Sequence, residues 1–492
     1  GGQGLTGARR RGLAVAAAAA LVALACSDPP TANSAGDQAA TGPDGLPECP
    51  IDALDGASGP VTIDLWYGGL AGAAKTTMDD MVARFNQSQG DVVINASDQG
   101  TAYEEVYRAF ESAASAAGGK QLPDIVYLED TQLASLADSG LVLPAQACMD
   151  AAGYDPTDLE AAARAKYSIG GVLYPGYMNV STPVLYFNKA HFVKAGLDPA
   201  HPPQTLEEVS QAAEKIKAAG IAPKPFAMKT DRWYFDTWLG GIGDDIVNNG
   251  NGRNGEATRA TFATPEATKL LEFLKKMDDE GLLNAFANTE GAIDDYLALV
   301  TEQSSMVIET STAATTVRDA LNGQITAAQA GVDFDASVVD SSRLVPGTGP
   351  FPGIDAGGQV FASGGAFYML NSSKPAEQAA AWRFMDFMLQ PENAAVWHTS
   401  GSYLPVVKAV TDLPQVQAFW RDDLAGVLLQ PGVEQFAHAD PDLPGPLIGP
   451  YSDEATAVQG AMDGVLFTGQ KPEAALDDAQ TTVTAALERY AG

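Results

Sequence analysis

The alternation of strands and helices constrains the fold of this chain more than any other feature. Residues 61–65 read Val-Thr-Ile-Asp-Leu, whose apolar side chains recur every second residue as in a strand. A helical pattern follows over residues 74–87, and further strands are predicted at 91–97 and 124–128. Strands separated by helices form parallel βαβ units. The sequence therefore predicts an α/β fold built on an open sheet.

A second set of elements follows in the middle of the chain. Strands are predicted at residues 183–188, 305–311 and 364–370, with helices between them. Gly and Pro are so frequent over 345–359 that this stretch is predicted to be a crossing segment and not a strand. The polar Gly- and Asn-rich stretch 243–256 lacks the alternating acids of a calcium loop, so it is predicted to be a surface turn.

The first 26 residues have the layout of an export signal. Residues 9–11 are arginines, and an apolar stretch over 12–25 ends at Cys26. A stretch of about 14 residues is too short to span a membrane and fits the apolar region of a secretory signal. The cysteine at its end resembles a bacterial lipobox, which implies cleavage after residue 25 and a lipidated Cys26. Ordinary secretion with an incidental cysteine is the alternative, because Ala23 stands where a lipobox prefers leucine.

A polar segment separates this signal from the first predicted strand. Residues 27–48 carry almost no large apolar side chain, so they cannot bury enough surface to fold. Residues 26–57 are therefore predicted to be the lipidated cysteine followed by a disordered linker. This arrangement would tether the folded part to the membrane at the cell surface or in the periplasm.

Length and charge narrow the class of protein. The folded part, roughly 440 residues, exceeds one ordinary hydrophobic core, so two lobes are expected. The chain has 29 basic and 62 acidic residues and a net charge of −33. Such an acidic chain repels phosphate backbones, which argues against a nucleic-acid partner.

Two cysteines remain once Cys26 is assigned to lipid. Cys49 and Cys148 form an even pair in an exported chain, which predicts a disulfide, with two buried free thiols as the alternative. The chain has no C-x-x-C motif, and its few histidines are far apart in sequence: His191, His201, His398 and His438. No metal site is therefore expected.

Common catalytic motifs are absent from the sequence, whereas aromatic residues stand at the ends of predicted elements. There is no G-x-S-x-G, Walker loop or H-E-x-x-H motif. The aromatic residues beside Gly, Pro or strand ends are Trp66, Tyr67, Trp233, Tyr234, Trp238, Tyr403 and Tyr451. An open α/β sheet binds ligands at such ends, and aromatic faces near carboxylates suit a sugar. Core packing is the alternative for each of them.

Three long stretches carry a resemblance to a known family. They begin at Ser181 ("STPVLYFNKAHFVKAGLDPAHPPQTLEEV"), Ser373 ("SKPAEQAAAWRFMDFMLQPENAAVWHTSGSYLPV") and Phe467 ("FTGQKPEAALDDA"). Together they resemble the extracellular solute-binding proteins of ABC importers, in the group that binds sugars and glycerol-3-phosphate. The resemblance covers most of residues 60–490. It implies a two-lobe clamp of the periplasmic-binding-protein type that performs no covalent chemistry and needs no cofactor.

The resemblance also implies how the chain divides. Lobe one would take residues 58–178 and 305–350, and lobe two would take 179–304 and 360–492. The solute would bind between the lobes, and their closure would be the signal that the membrane permease reads. The expected partners are a small sugar or glycerophosphate-like solute and the permease, and a monomer is expected.

Hinge crossings are implied near residues 179–182, 303–305 and 350–362. Family cleft positions match Tyr103, Ser181, Trp233, Gly365 and Tyr403 in this chain. The full set of candidate ligand-binding residues is Trp66, Tyr67, Tyr103, Glu129, Asp130, Ser181, Trp233, Trp238, Gly365, Tyr403 and Tyr451.

Two departures from the glycerol-3-phosphate-binding pattern bear on the solute. Leu70 stands where those proteins carry an acid, and the stretch "GPLIGPYS" lacks the arginine that holds the phosphate. Lys229 and Arg232 are candidate substitutes. A neutral sugar and a glycerophosphodiester therefore both stay open as solutes. A secreted glycoside hydrolase and a surface polysaccharide-binding module are the alternative functions.

Overall fold

The structure is a computed structural model that describes residues 45–116, 121–289, 291–324 and 342–492. The predicted signal peptide, Cys26 and the linker up to residue 44 lie outside the described residues. Within the described ranges, no helix combines the length and the apolar character that crossing a membrane requires.

Strands and helices alternate through the first two thirds of the chain, and helices dominate the last third. The strands are β1 (Val61–Tyr67), β2 (Val92–Asp98), β3 (Ile125–Glu129), β4 (Val142–Leu143), β5 (Ser168–Ile169), β6 (Val172–Leu173), β7 (Tyr177–Met178), β8 (Pro183–Asn188), β9 (Phe226–Lys229), β10 (Leu283–Phe286), β11 (Met306–Thr310), β12 (Pro346–Pro350) and β13 (Gly365–Leu370).

The helices up to the last strand are α1 (Gly72–Ser88), α2 (Tyr103–Ser115), α3 (Leu133–Asp138), α4 (Ala145–Ala152), α5 (Ala161–Lys166), α6 (Lys189–Lys194), α7 (Leu206–Ala218), α8 (Arg232–Gly241), α9 (Asn248–Asn251), α10 (Pro265–Asp279), α11 (Asp294–Val300) and α12 (Ala313–Leu321). The helices after it are α13 (Pro375–Leu389), α14 (Pro391–Thr399), α15 (Pro414–Asp422), α16 (Leu424–Ala437), α17 (Tyr451–Thr468) and α18 (Pro472–Ala491).

The first sheet has the strand order β2-β1-β3-β13-β4, and β7 also pairs with β13. Strands β1, β2 and β3 are parallel, as the βαβ pattern predicts, whereas β13 runs antiparallel to β3. The inward side chains of β1, among them Ile63 and Leu65, are buried, and Thr62 and Asp64 are exposed. Helices α1, α2 and α13 cover this sheet. We call the first sheet and the elements packed on it the first lobe.

The second sheet has the order β10-β9-β11-β8-β12. Every side chain of β8 is buried because β8 lies between two strands and helices cover the sheet. Thr205 caps the start of helix α7, where its Oγ1 accepts from the Glu208 backbone N–H at 3.2 Å. Helices α8, α10, α16, α17 and α18 pack with this sheet or with one another. We call this group the second lobe.

Strand pairing does not follow the lobe boundaries implied by the resemblance. Strands β11 and β12, which belong to the stretch 305–350, lie in the second sheet, and β13 lies in the first. The segment 303–305 joins α11 to β11 within the second lobe, so it is not a crossing. The sequence pattern shows that these segments are strands, but pairing is decided by tertiary neighbours that the pattern does not contain.

The chain passes from the first lobe to the second between α13 and α16. Two other connecting segments lie side by side, one joining β7 to β8 and one joining β12 to β13. They pair through Ser181 N–H to Ser363 O at 2.8 Å and Ser363 N–H to Ser181 O at 3.0 Å. Backbone pairing of this kind holds the connection between the lobes together while leaving each sheet intact.

The predicted crossing segment 345–359 contains a strand. Residues Pro346–Pro350 form β12, which pairs antiparallel with β8. The strand lies at the edge of its sheet, where a proline costs little because its missing N–H is needed only on a paired side. The Gly- and Pro-rich composition therefore marks an edge strand followed by the crossing.

Cys49 and Cys148 form a disulfide in the structure, with their Cα atoms 5.0 Å apart. Cys148 lies in α4, and the turn after Cys49, Ala53–Gly56, packs against α13. The bond therefore fastens the start of the folded part to the first lobe.

Candidate functional site

Strand β3 of the first sheet and β9 of the second end at one polar region between the lobes. Glu129 is the last residue of β3 and Asp130 follows it, and Asp231, Arg232 and Trp233 come shortly after β9. The charges of Glu129 and Arg232 act on each other across this region. Carboxyl ends of strands are where open α/β sheets bind ligands, so these groups form the candidate site.

Three tyrosines form one wall of the site. The rings of Tyr103 and Tyr127 are 6.1 Å apart, and side-chain hydrogen bonds link their hydroxyls with that of Tyr403. Burial raises the pKa of all three hydroxyls well above the ordinary value, so they stay protonated. A Cβ at Gly365 would overlap the Tyr127 ring, which explains why the first residue of β13 is a glycine. The wall offers aromatic faces and hydroxyl donors.

Glu129 and Asp130 differ in environment although they are neighbours in sequence. Burial, and then the charge of Asp130, raise the pKa of Glu129 to about 8. Glu129 is therefore mostly protonated at neutral pH and can donate a hydrogen bond. Asp130 Oδ1 accepts from Ser363 Oγ and from the Gly364 N–H, both at 2.9 Å. Asp130 thus ties the end of β3 to the crossing segment that leads into β13.

A buried lysine faces Asp130. The Lys166 Nζ atom lies 3.3 Å from Asp130 Oδ2 and 4.6 Å from the centre of the Phe361 ring. Burial lowers the pKa of Lys166 to about 8, although the charge of Asp130 opposes this shift. The charges of Lys166 and Asp130 therefore cancel. The lysine ammonium has three N–H groups, of which the contact with Asp130 uses one.

The second lobe contributes Arg232 and Tyr451. The Arg232 guanidinium lies 4.3 Å from the centre of the Tyr451 ring, and its Nη1 donates to Asp236 Oδ2 at 2.8 Å. Its Nε atom lies 3.4 Å from Glu454 Oε2. Burial and the charge of Asp236 raise the pKa of Glu454, so these two carboxyls hold a proton between them. Arg232 consequently faces one negative charge and is not a free cation.

Trp233 brings an unpartnered donor to the same region. The Asp231 side chain caps α8 by accepting from the Trp233 backbone N–H at 2.8 Å. The indole Nε1 atom of Trp233 is buried and has no hydrogen-bond partner among the described residues. A buried N–H without a partner is costly, so this donor is poised for an acceptor on a bound molecule.

A cavity of about 10 Å³ lies between the two lobes, lined by Asp130, Thr131, Lys166, Arg232, Arg253, Pro446, Leu447, Ile448 and Tyr451. That volume is roughly the room for one water molecule. A groove of about 520 Å³ opens beside it along Arg253. In this arrangement the lobes are in contact around the site.

Comparison with known proteins identifies the family. A profile of the family described as bacterial extracellular solute-binding protein matches residues 80–423. The chain belongs to this family. Because its relatives are substrate-binding proteins, this bacterial extracellular solute-binding protein is not an enzyme.

Relatives of known function and solved structures agree with this placement. The sn-glycerol-3-phosphate-binding periplasmic protein UgpB of Escherichia coli strain K12 is 25% identical over 456 residues, covering 89% of this chain and 95% of that protein. The sugar-binding protein MalE from Xanthomonas citri aligns with a TM-score of 0.69 at 18% identity, over 88% of this chain and 98% of that one.

Two further solved structures have the same fold. The cyclic α-maltosyl-1,6-maltose binding protein from Arthrobacter globiformis has a TM-score of 0.66 at 23% identity, over 88% of this chain and all of that one. UgpB from Mycobacterium tuberculosis, in complex with glycerophosphocholine, has a TM-score of 0.64 at 19% identity, over 89% and 100%. The fold is therefore the α/β two-lobe fold of periplasmic binding proteins.

Of the predicted cleft residues, Asp130 and Tyr451 line the cavity, and Tyr103 and Tyr403 belong to the tyrosine wall. Glu129 and Trp233 are chain neighbours of the cavity-lining Asp130 and Arg232, and Gly365 lies against the Tyr127 ring. That these residues contact a solute stays a prediction. Ser181 lies in the crossing segment, where its hydroxyl donates to Ser363 O at 3.2 Å.

Three predicted residues have other surroundings in this solute-binding protein. Trp238 is in the core, where its Nε1 donates to Pro352 O at 2.8 Å and its ring stacks on Phe351. Tyr67 donates its hydroxyl to Asp79 Oδ1 at 2.8 Å. Trp66 is partly buried against the core within β1. Their positions near strand or helix ends are the signal that suggested a ligand role, and packing accounts for them instead.

Lys229, a candidate for holding phosphate, is committed elsewhere. Its Nζ atom lies 2.6 Å from Glu309 Oε1 and 3.7 Å from Asp295 Oδ1. Glu309 is buried on β11 of the second sheet.

Three site residues have no distinct signal in the sequence. Tyr127 lies within a uniformly apolar strand, and Lys166 ends a short alanine-rich helix. Arg253 lies in the stretch 243–256, which was predicted to be a surface turn but packs between the lobes through this side chain. Among the described residues, no group of three His, Cys, Asp or Glu side chains is arranged to hold a metal ion.

Proposed function

We propose that this protein is the lipid-anchored substrate-binding component of an ABC importer. It takes a carbohydrate or a glycerol-phosphate-type solute between its two lobes and presents it to the membrane permease. The observation that carries the proposal is the convergence of aromatic faces, hydroxyls and an unpartnered indole N–H where strands of both sheets end. The curated relatives, whose names specify sn-glycerol-3-phosphate binding, support the solute class.

Charge compensation at the site favours the carbohydrate. Arg232 is paired with Asp236, and Lys166 is paired with Asp130. A phosphate dianion would have to draw Arg232 or Lys166 away from its carboxylate, or Arg253 away from the backbone carbonyls to which it donates, which costs buried pairing. A hydroxyl-rich solute needs only donors and acceptors, which Glu129 and the tyrosines supply. The glycerol-phosphate-type solute is the second candidate.

Solute entry requires the lobes to separate. A cavity of about 10 Å³ holds no sugar, so the crossing segments near Ser181 and Ser363 serve as the hinge. The proposed lobes are the two sheets with their covering helices. Proposed lipidation at Cys26 keeps the protein beside the permease, and the proposed working form is a monomer.

A thermal-shift screen tests the site. The panel contains mono- and oligosaccharides, glycerol-3-phosphate and glycerophosphodiesters, each at several concentrations. A solute at 100 times its Kd should stabilise the protein by ~2.7 kcal/mol. We expect Trp233→Ala and Tyr403→Phe to weaken the binding of that solute at least about tenfold, which is the loss of roughly one buried hydrogen bond.

Tyr67→Phe is the matched control, because the Tyr67 hydroxyl is bonded to Asp79 and lies outside the site. It should keep the full shift. If both site variants bind as tightly as the parent protein, the site is misplaced. If no solute in the panel produces a shift and small-angle scattering shows no compaction with any of them, the proposed function is wrong.

A further inference from the structure

Arg253 connects backbone groups of both lobes. Its Nη1 donates to the carbonyl oxygens of Lys166 and Ser168, each at 3.2 Å, and of Ala165 at 3.4 Å. Its Nε donates to Gly445 O at 3.1 Å. The three N–H groups of Nε and Nη1 therefore serve four carbonyl groups, with at least one N–H shared between two of them.

The acceptors on one side belong to the first lobe. Residues 165–168 run from the end of α5 into β5, which forms a hairpin with β6. After this hairpin, the Tyr174 carbonyl accepts from the N–H of Ala145 at the start of α4, and the Tyr174 N–H donates to the Tyr167 carbonyl. The Tyr167 hydroxyl also donates to Gly364 O at 2.7 Å. The segment that Arg253 holds is thus attached both to the first lobe and to the crossing beside β13.

The other side is a loop of the second lobe that holds the arginine in place. Asn251 Oδ1 accepts from the Ile246 N–H at 2.8 Å, and the Asn251 carbonyl accepts from the Leu447 N–H at 2.9 Å. Gly252 has φ +74°, and a Cβ there would overlap the Leu447 carbonyl. The loop is therefore fixed before it meets the first lobe, so Arg253 loses little freedom on making its contacts.

Further contacts join the lobes next to Arg253. The Tyr490 hydroxyl of α18 donates to Asp138 Oδ2 of α3 at 2.6 Å, and the Ser135 hydroxyl donates to Gly449 O at 3.2 Å. Arg253, Asp138, Gly449 and Tyr490 line one groove of about 460 Å³ between the lobes. These contacts have no part in the hinge pairing of the crossing segments, and they break when the lobes separate.

We propose that Arg253 is a positioning residue for solute binding, which holds the lobes in the closed arrangement with Tyr490 as its auxiliary. The role of closure in solute binding rests on the proposed function, whereas the effect on the lobes does not. We call the Arg253 contacts between the lobes the latch. Because their acceptors are backbone carbonyls, the latch does not depend on the charge state of a carboxylate partner. It stabilises the closed arrangement for every solute alike.

Small-angle scattering and binding measurements on Arg253→Met test this inference. Methionine keeps an unbranched apolar stem and removes the guanidinium. We expect a larger radius of gyration without added solute and a Kd about tenfold higher for each solute that binds the parent protein, with the same fold-change for all. The exposed Arg259, changed to methionine, is the matched control and should alter neither quantity.

Tyr490→Phe keeps the inference testable if Arg253→Met does not fold, because it removes one partly exposed hydroxyl. It should move both quantities in the same direction by a smaller factor. An unchanged radius of gyration in both variants overturns the latch. A loss confined to one solute, with an unchanged radius, assigns Arg253 to direct solute contact instead. If no solute is found, the proposed function is wrong. The radius of gyration of the variants without solute still tests whether Arg253 holds the lobes together.

Discussion

At the residue scale, the position of Tyr403 depends on a neutral histidine. His398 Nδ1–H donates to Tyr403 O at 2.6 Å, and His398 Nε2 accepts from the Trp420 indole N–H at 2.8 Å. Burial lowers the pKa of His398 to about 4, which fits the use of Nε2 as an acceptor. The position of Tyr403 in the tyrosine wall therefore depends on His398 being neutral.

This arrangement predicts a pH-dependent stability. The unfolded state takes up a proton near pH 6.5 and the folded state only near pH 4, so the stabilisation is complete above 6.5 and is lost as the pH falls toward 4. Between pH 7 and 4.5 the free energy of unfolding should fall by roughly 2 kcal/mol more in the parent protein than in His398→Asn. Denaturant unfolding at several pH values measures this difference, with the exposed His438→Asn as control. If the free energy of unfolding changes with pH equally in the parent protein and in His398→Asn, His398 is not the cause of the pH dependence.

The predictability of single residues depends on where their signal lies. Trp233 and Tyr403 could be found because an aromatic residue beside a strand end or a glycine is unusual enough to notice. Trp238 has a similar sequence context, and only the hydrogen bond from its indole N–H to the Pro352 carbonyl shows that it is a core residue. Lys166 and Arg253 could not be found, because a lysine in a short helix and an arginine in a polar loop are ordinary surface patterns, and only the contact between the lobes buries them.

At the scale of elements, the sequence predicts where strands occur better than which strands pair. Every strand of four or more residues before β12, except the short β9 and β10, was predicted from its periodicity or its apolar run. β12 was missed because its prolines and glycines read as a loop, and an edge position tolerates them. Sheet membership of β11, β12 and β13 could not be read, since the same apolar pattern suits either sheet.

The Cys49–Cys148 bond gives a prediction at this scale. Replacing both cysteines by serine removes the bond without leaving either partner as a free thiol, and it opens a loop spanning a sequence separation of 99. We expect the free energy of unfolding to fall by about 4 kcal/mol, because the unfolded chain regains the entropy of that loop. Denaturant unfolding measures the loss, and reduction of the parent protein should produce the same change. A parent protein that is insensitive to reductant and equal in stability to the double variant would contradict the bond.

At the scale of the whole molecule, two sheets joined by connecting segments give each lobe its own framework, which fits the proposed opening and closing of the lobes. Each lobe has a buried sheet of its own, and the polar groups that line the site lie between the lobes. The family, the two-lobe fold and the general position of the site could be predicted from the sequence. Closure contacts could not, because they join residues such as Asp138 and Tyr490 that are 352 positions apart.

The proposed anchor gives a prediction at this scale. Cys26→Ser should move the protein from the membrane fraction to the medium or periplasm, because the acyl chains on Cys26 are the proposed attachment to the membrane. Fractionation followed by mass spectrometry of the mature N-terminal peptide measures both location and acylation. The Cys49→Ser, Cys148→Ser double variant should stay with the membrane. An unmodified Cys26, or a Cys26→Ser protein still bound to membranes, would exclude lipidation.

The disulfide also decides where a pull on the chain would be felt. Cys49 is bonded to α4, and the turn that follows it packs against α13, so both attachments are in the first lobe. Tension applied to the chain ahead of residue 49 is therefore carried into the first lobe and bypasses the second. The second lobe could rotate about the crossing segments without pulling on the chain ahead of residue 49. With the proposed anchor at Cys26, the first lobe would be the one held near the membrane, and the second lobe would move relative to it.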